Sequence, residues 1–274
     1  MGTLQALKKY VDDFPDIGET MPTLFIGHGN PMNAIEDTEF SIRWKVLGNE
    51  LPRPRAVLCI SAHWETRGTF VTAMEKPDTI HDFGGFPEEL FAVQYPAPGS
   101  PALAHQTKDV IKKAVVGLDT KRGLDHGCWS VMRRIYPKAD IPVLQLSLDH
   151  FQPPQWHYDL AEDLAPLRNK GVLIIGSGNM VHNLGLVDWQ HSDAAFEWAR
   201  EANELFKRRI VDGNQRDLIN YPSLGKAAIL SVPTPEHFLP MLCILGMKEK
   251  SENIEFFNDK IVMGSLSMTS FKVS

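Results

Sequence analysis

Short apolar runs, each closed by a turn, limit what this sequence can fold into. Thr23–Ile26 ends in Gly27, and Ala56–Ile60 ends in Ser61. Pro142–Leu148, Val172–Ile175 and Ala227–Val232 are three more. Each is too short for a core helix and rich in Val, Ile and Leu, as strands covered on both faces are. Helix-spaced patterns lie between them, over 39–48, 101–115, 155–168 and 193–211. The alternation predicts an α/β fold, a single domain with a central, largely parallel or mixed sheet flanked by helices. Thr69–Met74 and Gly264–Phe271 alternate like strands with one exposed face. Leu4, Leu7, Val11 and Phe14 predict a short amphipathic helix before the sheet. Residues 76–100, punctuated by Pro77, Gly84, Gly85, Pro87, Pro96 and Pro98, read as one long loop. Long loops in compact domains are often functional.

Composition narrows the function classes. The chain has 274 residues, 43% hydrophobic and 23% charged, which excludes disorder, collagen and coiled coil. Its net charge of −6 comes with no basic stripe, so nucleic acid is not an expected partner. No apolar stretch reaches the ~20 residues of a membrane helix, and Lys8, Lys9, Asp12 and Asp13 interrupt the start where a secretory signal would be apolar. Membrane is therefore not an expected partner either. The three cysteines, Cys59, Cys128 and Cys243, form no C-x-x-C pair. That argues for a reducing, cytoplasmic setting and against a thiolate zinc site.

The histidines carry the functional signal. Four of the ten fall just beyond apolar runs: His28, His63, His182 and His237. Open α/β sheets bind ligands outside the carboxyl ends of their strands. Four imidazoles converging there would form a candidate metal site, imidazole being the commonest nitrogen ligand. Taken singly, each has a plain structural reading as a turn, strand-end or cap residue. Four coincidences of one kind weigh against that reading jointly. His81, in His81-Asp82-Phe83-Gly84-Gly85-Phe86-Pro87, and His126, in Asp125-His126-Gly127, sit in turns. Either would suit substrate orientation or proton transfer, or be a satisfied loop residue. Glu236, beside His237, also suits a helix start, where the dipole favours acid. His105, His150, His157 and His191 read as surface or structural. Gly176-Ser177-Gly178-Asn179-Met180-Val181 begins like a dinucleotide loop but lacks its third glycine, and Ser177 is not in a G-x-S-x-G elbow.

An ordered set of motifs carries a family resemblance. It comprises Gly27-His28-Gly29-Asn30-Pro31-Met32, Ser61-Ala62-His63-Trp64, the His81–Pro87 segment, Tyr95-Pro96-Ala97-Pro98-Gly99, and Asp125-His126-Gly127. Gly176–Asn183, Pro233-Thr234-Pro235-Glu236-His237 and Met263–Met268 complete it. Together they resemble the extradiol 4,5-DOPA dioxygenase family, a branch of the class III, LigB-type ring-cleaving dioxygenases. The resemblance implies a LigB-like fold over 21–274 behind an N-terminal extension, 1–20. It implies an oxidoreductase that inserts O2 into a catechol such as L-DOPA, giving a muconic semialdehyde of the 4,5-seco-DOPA type.

It further implies one mononuclear divalent metal on His28, His63, His182 and His237, with Glu236 as the alternative third ligand. Zn2+ is the ion expected in the purified protein and Fe2+ the one expected for oxygenation, because nitrogen sites prefer Zn2+, which has no redox chemistry. By the same resemblance His182 is ligand or acid/base, His126 is catalytic and contacts substrate or oxygen, and His81 binds substrate. A homo-oligomer is compatible with the sequence. Two alternatives would use the same cluster, a zinc hydrolase and a non-enzymatic LigB-like binding protein.

Overall fold

The computed structural model describes residue 16 and residues 18–274. The helix expected over residues 4–14 lies outside the described residues. Strands β1 (Thr23–Gly27), β2 (Ala56–Thr66), β3 (Thr69–Thr72), β4 (Val116–Asp119), β5 (Val143–Asp149), β6 (Val172–Gly178), β7 (Ile254–Phe257), β8 (Ile261–Val262), β9 (Leu266–Ser267) and β10 (Ser270–Val273) are arranged in two sheets. The larger runs β4-β3-β5-β2-β6-β1-β10-β7, and β8 pairs with β9. Its centre, β5-β2-β6-β1, is parallel. On one flank β10 and β7 turn antiparallel, and on the other β3 opposes β5.

Alternation along each central strand feeds two separate cores. Leu24, Ile26, Val57, Cys59, Leu173 and Ile175 point to one face. Phe25, Leu58, Ile60, Val172 and Ile174 point to the other. Period-2 side-chain direction, with both faces buried, explains why these strands read as unbroken apolar runs. On the first face lie α1 (Glu39–Glu50), α2 (Glu88–Phe91) and α4 (His126–Ile135), contributing Trp44, Leu90 and Trp129. The second face is covered by α3 (Pro101–Val110), α5 (Pro154–Glu162), α6 (Ala165–Arg168), α7 (Glu197–Val211), α8 (Gln215–Ile219), α9 (Lys226–Ser231) and α10 (Leu239–Gly246). Local chemistry sets the helix starts. Thr38 and Ser41 form a reciprocal capping box on α1, and the Asp125 carboxylate accepts the Cys128 N–H at the start of α4.

Several expected elements differ. Ala227–Val232, expected as a strand, is α9. Its buried residues are Ala227, Ala228 and Ser231, while Ile229 is 52% exposed. That is helical spacing, which an apolar run this short cannot reveal by pattern alone. The run over Gly264–Phe271 breaks into β9 and β10. The pattern over 155–168 splits into α5 and α6, and the long loop contains the single turn α2. No helix among the described residues is long and apolar enough to cross a membrane. The three cysteines are buried and free.

Candidate metal centre

Each histidine reaches the carboxyl edge of the sheet by a different local device. His28 follows β1 directly, and its backbone N–H donates to the Gly178 carbonyl at 3.1 Å. His63 lies inside β2 rather than after it. Ile60 pairs with Leu146 but Glu65 pairs with Leu148, so β2 carries three more residues than β5 across this interval. The extra backbone bulges, which re-aims a side chain. His126 is the first residue of α4. His182 lies four residues beyond β6, anchored by its N–H to the Ser231 carbonyl at 2.9 Å. His237 comes from the loop between α9 and α10, not from a strand end. Its carbonyl accepts the Asn179 N–H at 2.8 Å. A Cβ on Gly178 would sit 2.2 Å from that carbonyl, so this approach requires glycine.

The donor atoms of His28, His63 and His126 lie within 4.8 Å of one another, and so do those of His182, Glu236 and His237; His63 and His237 bring the two groups together. The His28, His63 and His237 ring centroids are 5.0, 5.4 and 4.9 Å apart pairwise. His126 lies 3.9 Å from the His63 ring, and His182 stacks on His237 at 3.5 Å, with ring planes 7° apart. The Nε2 atoms of His28 and His63 face each other at 3.1 Å. Two nitrogens each ~2.1 Å from one ion, and at right angles, would lie about 3 Å apart.

Hydrogen bonds aim most of these rings. Ser177 Oγ donates to the Gly127 carbonyl at 2.6 Å and stands 2.9 Å from His28 Nδ1. Asp82 Oδ1 accepts from the His126 backbone N–H and from His126 Nδ1–H, both at 2.9 Å, and Asp82 Oδ2 is 3.8 Å from His63 Nδ1. Glu236 Oε1 accepts His237 Nδ1–H at 3.0 Å and the Thr234 hydroxyl at 2.9 Å. His237 Nε2 is then left buried with no partner among the described residues. An unpaired buried acceptor is costly unless something fills it. Such carboxylate–imidazole pairs are how metal-binding histidines are commonly oriented.

Burial keeps four of these rings neutral. It lowers His63 to about 3, helped by the neighbouring His126, and lowers His182 to about 4 against the pull of Glu236. His28 and His237 are held well below the ordinary imidazole range, by burial first and then by the surrounding histidines. Burial works to raise Asp82, but its hydrogen bonds with His126 hold it at about 2. At neutral pH the site thus combines bare imidazole lone pairs with an ionised carboxylate. Lone pairs that burial keeps unprotonated are donors suited to a divalent cation.

The histidines line the floor of a cleft of about 310 Å³, walled by Phe83, Phe86, Leu184, Trp189, Met263 and Leu266. The structure brings His28, His63, His126, His182 and His237 together here. His81 is not among the lining residues. Its Nε2 donates to the Val93 carbonyl at 2.9 Å, and its ring packs beside Phe83 and Trp129. The neighbouring Asp82 faces the site instead. Sequence reasoning assigned no role to Asp82, Ser177, Leu184 or Trp189. For Asp82, the acid next to a turn histidine was the available signal.

The mixed α/β sheet and the polyhistidine cleft at its carboxyl edge together describe a protein built to work on a small molecule at a metal. Residues 24–273 match the family described as the catalytic LigB subunit of aromatic ring-opening dioxygenase. The 4,5-DOPA dioxygenase extradiol of Escherichia coli K12 is 47% identical, over 92% of this chain and 94% of that one. The protein of the same name from Beta vulgaris is 38% identical, over 91% and 95%. The crystal structure of an uncharacterized Escherichia coli K12 protein superposes with a TM-score of 0.82 at 43% identity, covering 93% of this chain and all of that one. The chain belongs to the LigB family of aromatic ring-opening dioxygenases, and is thereby an oxidoreductase.

Proposed function

We propose that this enzyme is a metal-dependent extradiol dioxygenase acting on a catechol, with L-DOPA as the first substrate to test. The observation that supports it best is the convergence of His28, His63 and His237, neutral and mutually close, with His237 Nε2 buried and unpartnered. In this reading those three hold one divalent ion, and Glu236 orients His237 rather than binding the ion itself. A bound divalent ion would supply Lewis acidity that lowers the phenol pKa and, as Fe2+ but not Zn2+, redox chemistry.

The chain's other residues do the rest. Among the described residues, nothing hydrogen-bonds either ring nitrogen of His182, and burial keeps the ring unprotonated at neutral pH. In this reading it is free to take a phenolic proton and later return it. His126, its Nδ1–H held by Asp82, turns its other nitrogen to the substrate oxygens. Phe83, Phe86, Leu184 and Leu266 grip the ring and exclude water. Relatives named for 4,5-DOPA cleavage make L-DOPA the natural first trial.

The test is oxygen uptake by protein stripped of metal and reloaded anaerobically with Fe2+ or Zn2+. Stoichiometric uptake and a yellow semialdehyde from L-DOPA, with Fe2+ alone, are expected. His63→Ala should lose both metal and activity, whereas His126→Ala should keep the metal. Cleavage of an amide or ester without oxygen, or an active His63→Ala enzyme, would refute the reading.

A further inference from the structure

The Gly176-Ser177-Gly178 sequence fits neither a dinucleotide loop nor a nucleophile elbow, yet Ser177 is wholly buried beneath the histidine floor. It pairs across the sheet with Ser61 of β2, and both serines hold the first turn of α4. Ser61 Oγ donates to Asp125 Oδ1 at 2.7 Å, and Ser177 Oγ donates to the Gly127 carbonyl at 2.6 Å. From this geometry we infer that Ser177 is a positioning residue that fixes the tautomer of His28.

A hydroxyl has one hydrogen to give. The Gly127 carbonyl can only accept, so that hydrogen goes to it. The 2.9 Å contact between Ser177 Oγ and His28 Nδ1 must then be an Nδ1–H donation. A neutral imidazole carries one N–H, so His28 Nε2 is bare and faces His63 Nε2. The other tautomer would set a nitrogen lone pair against the serine oxygen and point a proton where the ion belongs. His126 and His237 are oriented by carboxylates, whereas His28 is oriented by a neutral hydroxyl. A neutral acceptor suits this position, because a carboxylate beside so deeply buried a ring would itself need a partner. The role in metal binding rests on the reading of the cluster as a metal centre; the tautomer itself does not.

The experiment uses the full chain labelled with 15N-histidine, metal-free and loaded with Zn2+. Two-bond 1H–15N correlations distinguish bare from protonated ring nitrogens, and His28→Gln assigns the His28 signals. In the wild type, His28 Nδ1 should carry the proton in both forms, a measurement that needs no folded Ser177 variant. Ser177→Ala should give mixed tautomers and bind Zn2+ about 10- to 100-fold more weakly. Ser177→Thr, which keeps the hydroxyl, should restore both. A proton on Nε2 in the metal-free wild type would overturn the inference. So would a folded Ser177→Ala with wild-type tautomer and affinity. Failure of the wild type to bind either Zn2+ or Fe2+ would overturn the metal reading instead, leaving the tautomer to decide the role of Ser177 alone.

Discussion

Gly127→Ala adds a single methyl group at one of the most crowded points beneath the site. Its Cβ would lie 2.6 Å from Ser61 Oγ and 2.8 Å from His63 Cδ2. Carbon atoms in comfortable contact are ~3.5–4.0 Å apart, so the shortfall against the ring is about 1 Å. Ser61 is tethered to the buried Asp125 and cannot yield freely. The His63 ring must therefore move, against His28 at its Nε2 and the His126 ring 3.9 Å away. Overpacking of this kind costs roughly 1–3 kcal/mol, a fall in Tm of roughly 2–12 °C for a chain of this size. The functional loss should be larger, because a ~1 Å misplacement of a reacting group costs on the order of 100-fold in rate. Thermal melting, Zn2+ calorimetry and oxygen uptake measure the three effects. Gly84→Ala is the control: Gly84 lines the same cleft, but a Cβ there meets nothing within 4 Å. It should match the wild type in all three. A Gly127→Ala enzyme with wild-type affinity and rate, or a Gly84→Ala enzyme equally damaged, would show that crowding at Gly127 does not set the position of His63.

Asp82→Asn removes the charge that holds His126 Nδ1–H; turnover should fall about 10- to 100-fold while Zn2+ content is retained, as steady-state rates and metal analysis would show. Glu236→Gln keeps an acceptor for His237 Nδ1–H, so calorimetry should find less than a ~10-fold loss of Zn2+ affinity. Abolished binding would make Glu236 a ligand. His157, buried on α5, is lowered from 6.5 to about 4 by burial, against its hydrogen bond to the Pro153 carbonyl. Between those values the unfolded chain binds the proton and the native one does not, so this contribution to stability is present above pH 6.5 and drains away as pH falls toward 4. Urea unfolding of His157→Leu should therefore lose about 3 kcal/mol less than the wild type between pH 7 and pH 4; equal losses would contradict the assignment.

Much of the centre of the sheet was legible in the sequence, because strands buried on both faces leave continuous apolar runs whatever surrounds them. β1, β2, β5 and β6 all declare themselves in this way. His28 was legible because it follows its strand directly. His63 was legible in position but not in mechanism, since a bulge depends on pairing with β5 and leaves no mark on β2 alone. The path of His237 was misjudged because Ala227–Val232 has the length and composition of a strand, and only tertiary burial selects the helix. His81 and Asp82 exchanged expectations for a similar reason. Adjacent residues in a loop point in different directions, and composition does not say which one faces inward. Ser177 was invisible as a positioning residue because its role depends on the Gly127 carbonyl, fifty residues away in sequence.

The place of β10 in the sheet has a consequence for synthesis on the ribosome. β10 sits between β1 and β7, and the Gly27 N–H at the end of β1 donates to the Ser270 hydroxyl across 243 residues of chain. At ~5–20 residues per second, β1 waits on the order of 10–50 s for that neighbour to be made. During that interval one edge of the nascent sheet is open to wrong partners. The cleft is incomplete for the same period, because Met263 and Leu266 arrive in the same late segment. A nascent chain therefore makes all five site histidines before the last part of the wall, Met263 and Leu266, that would help hold a substrate against them.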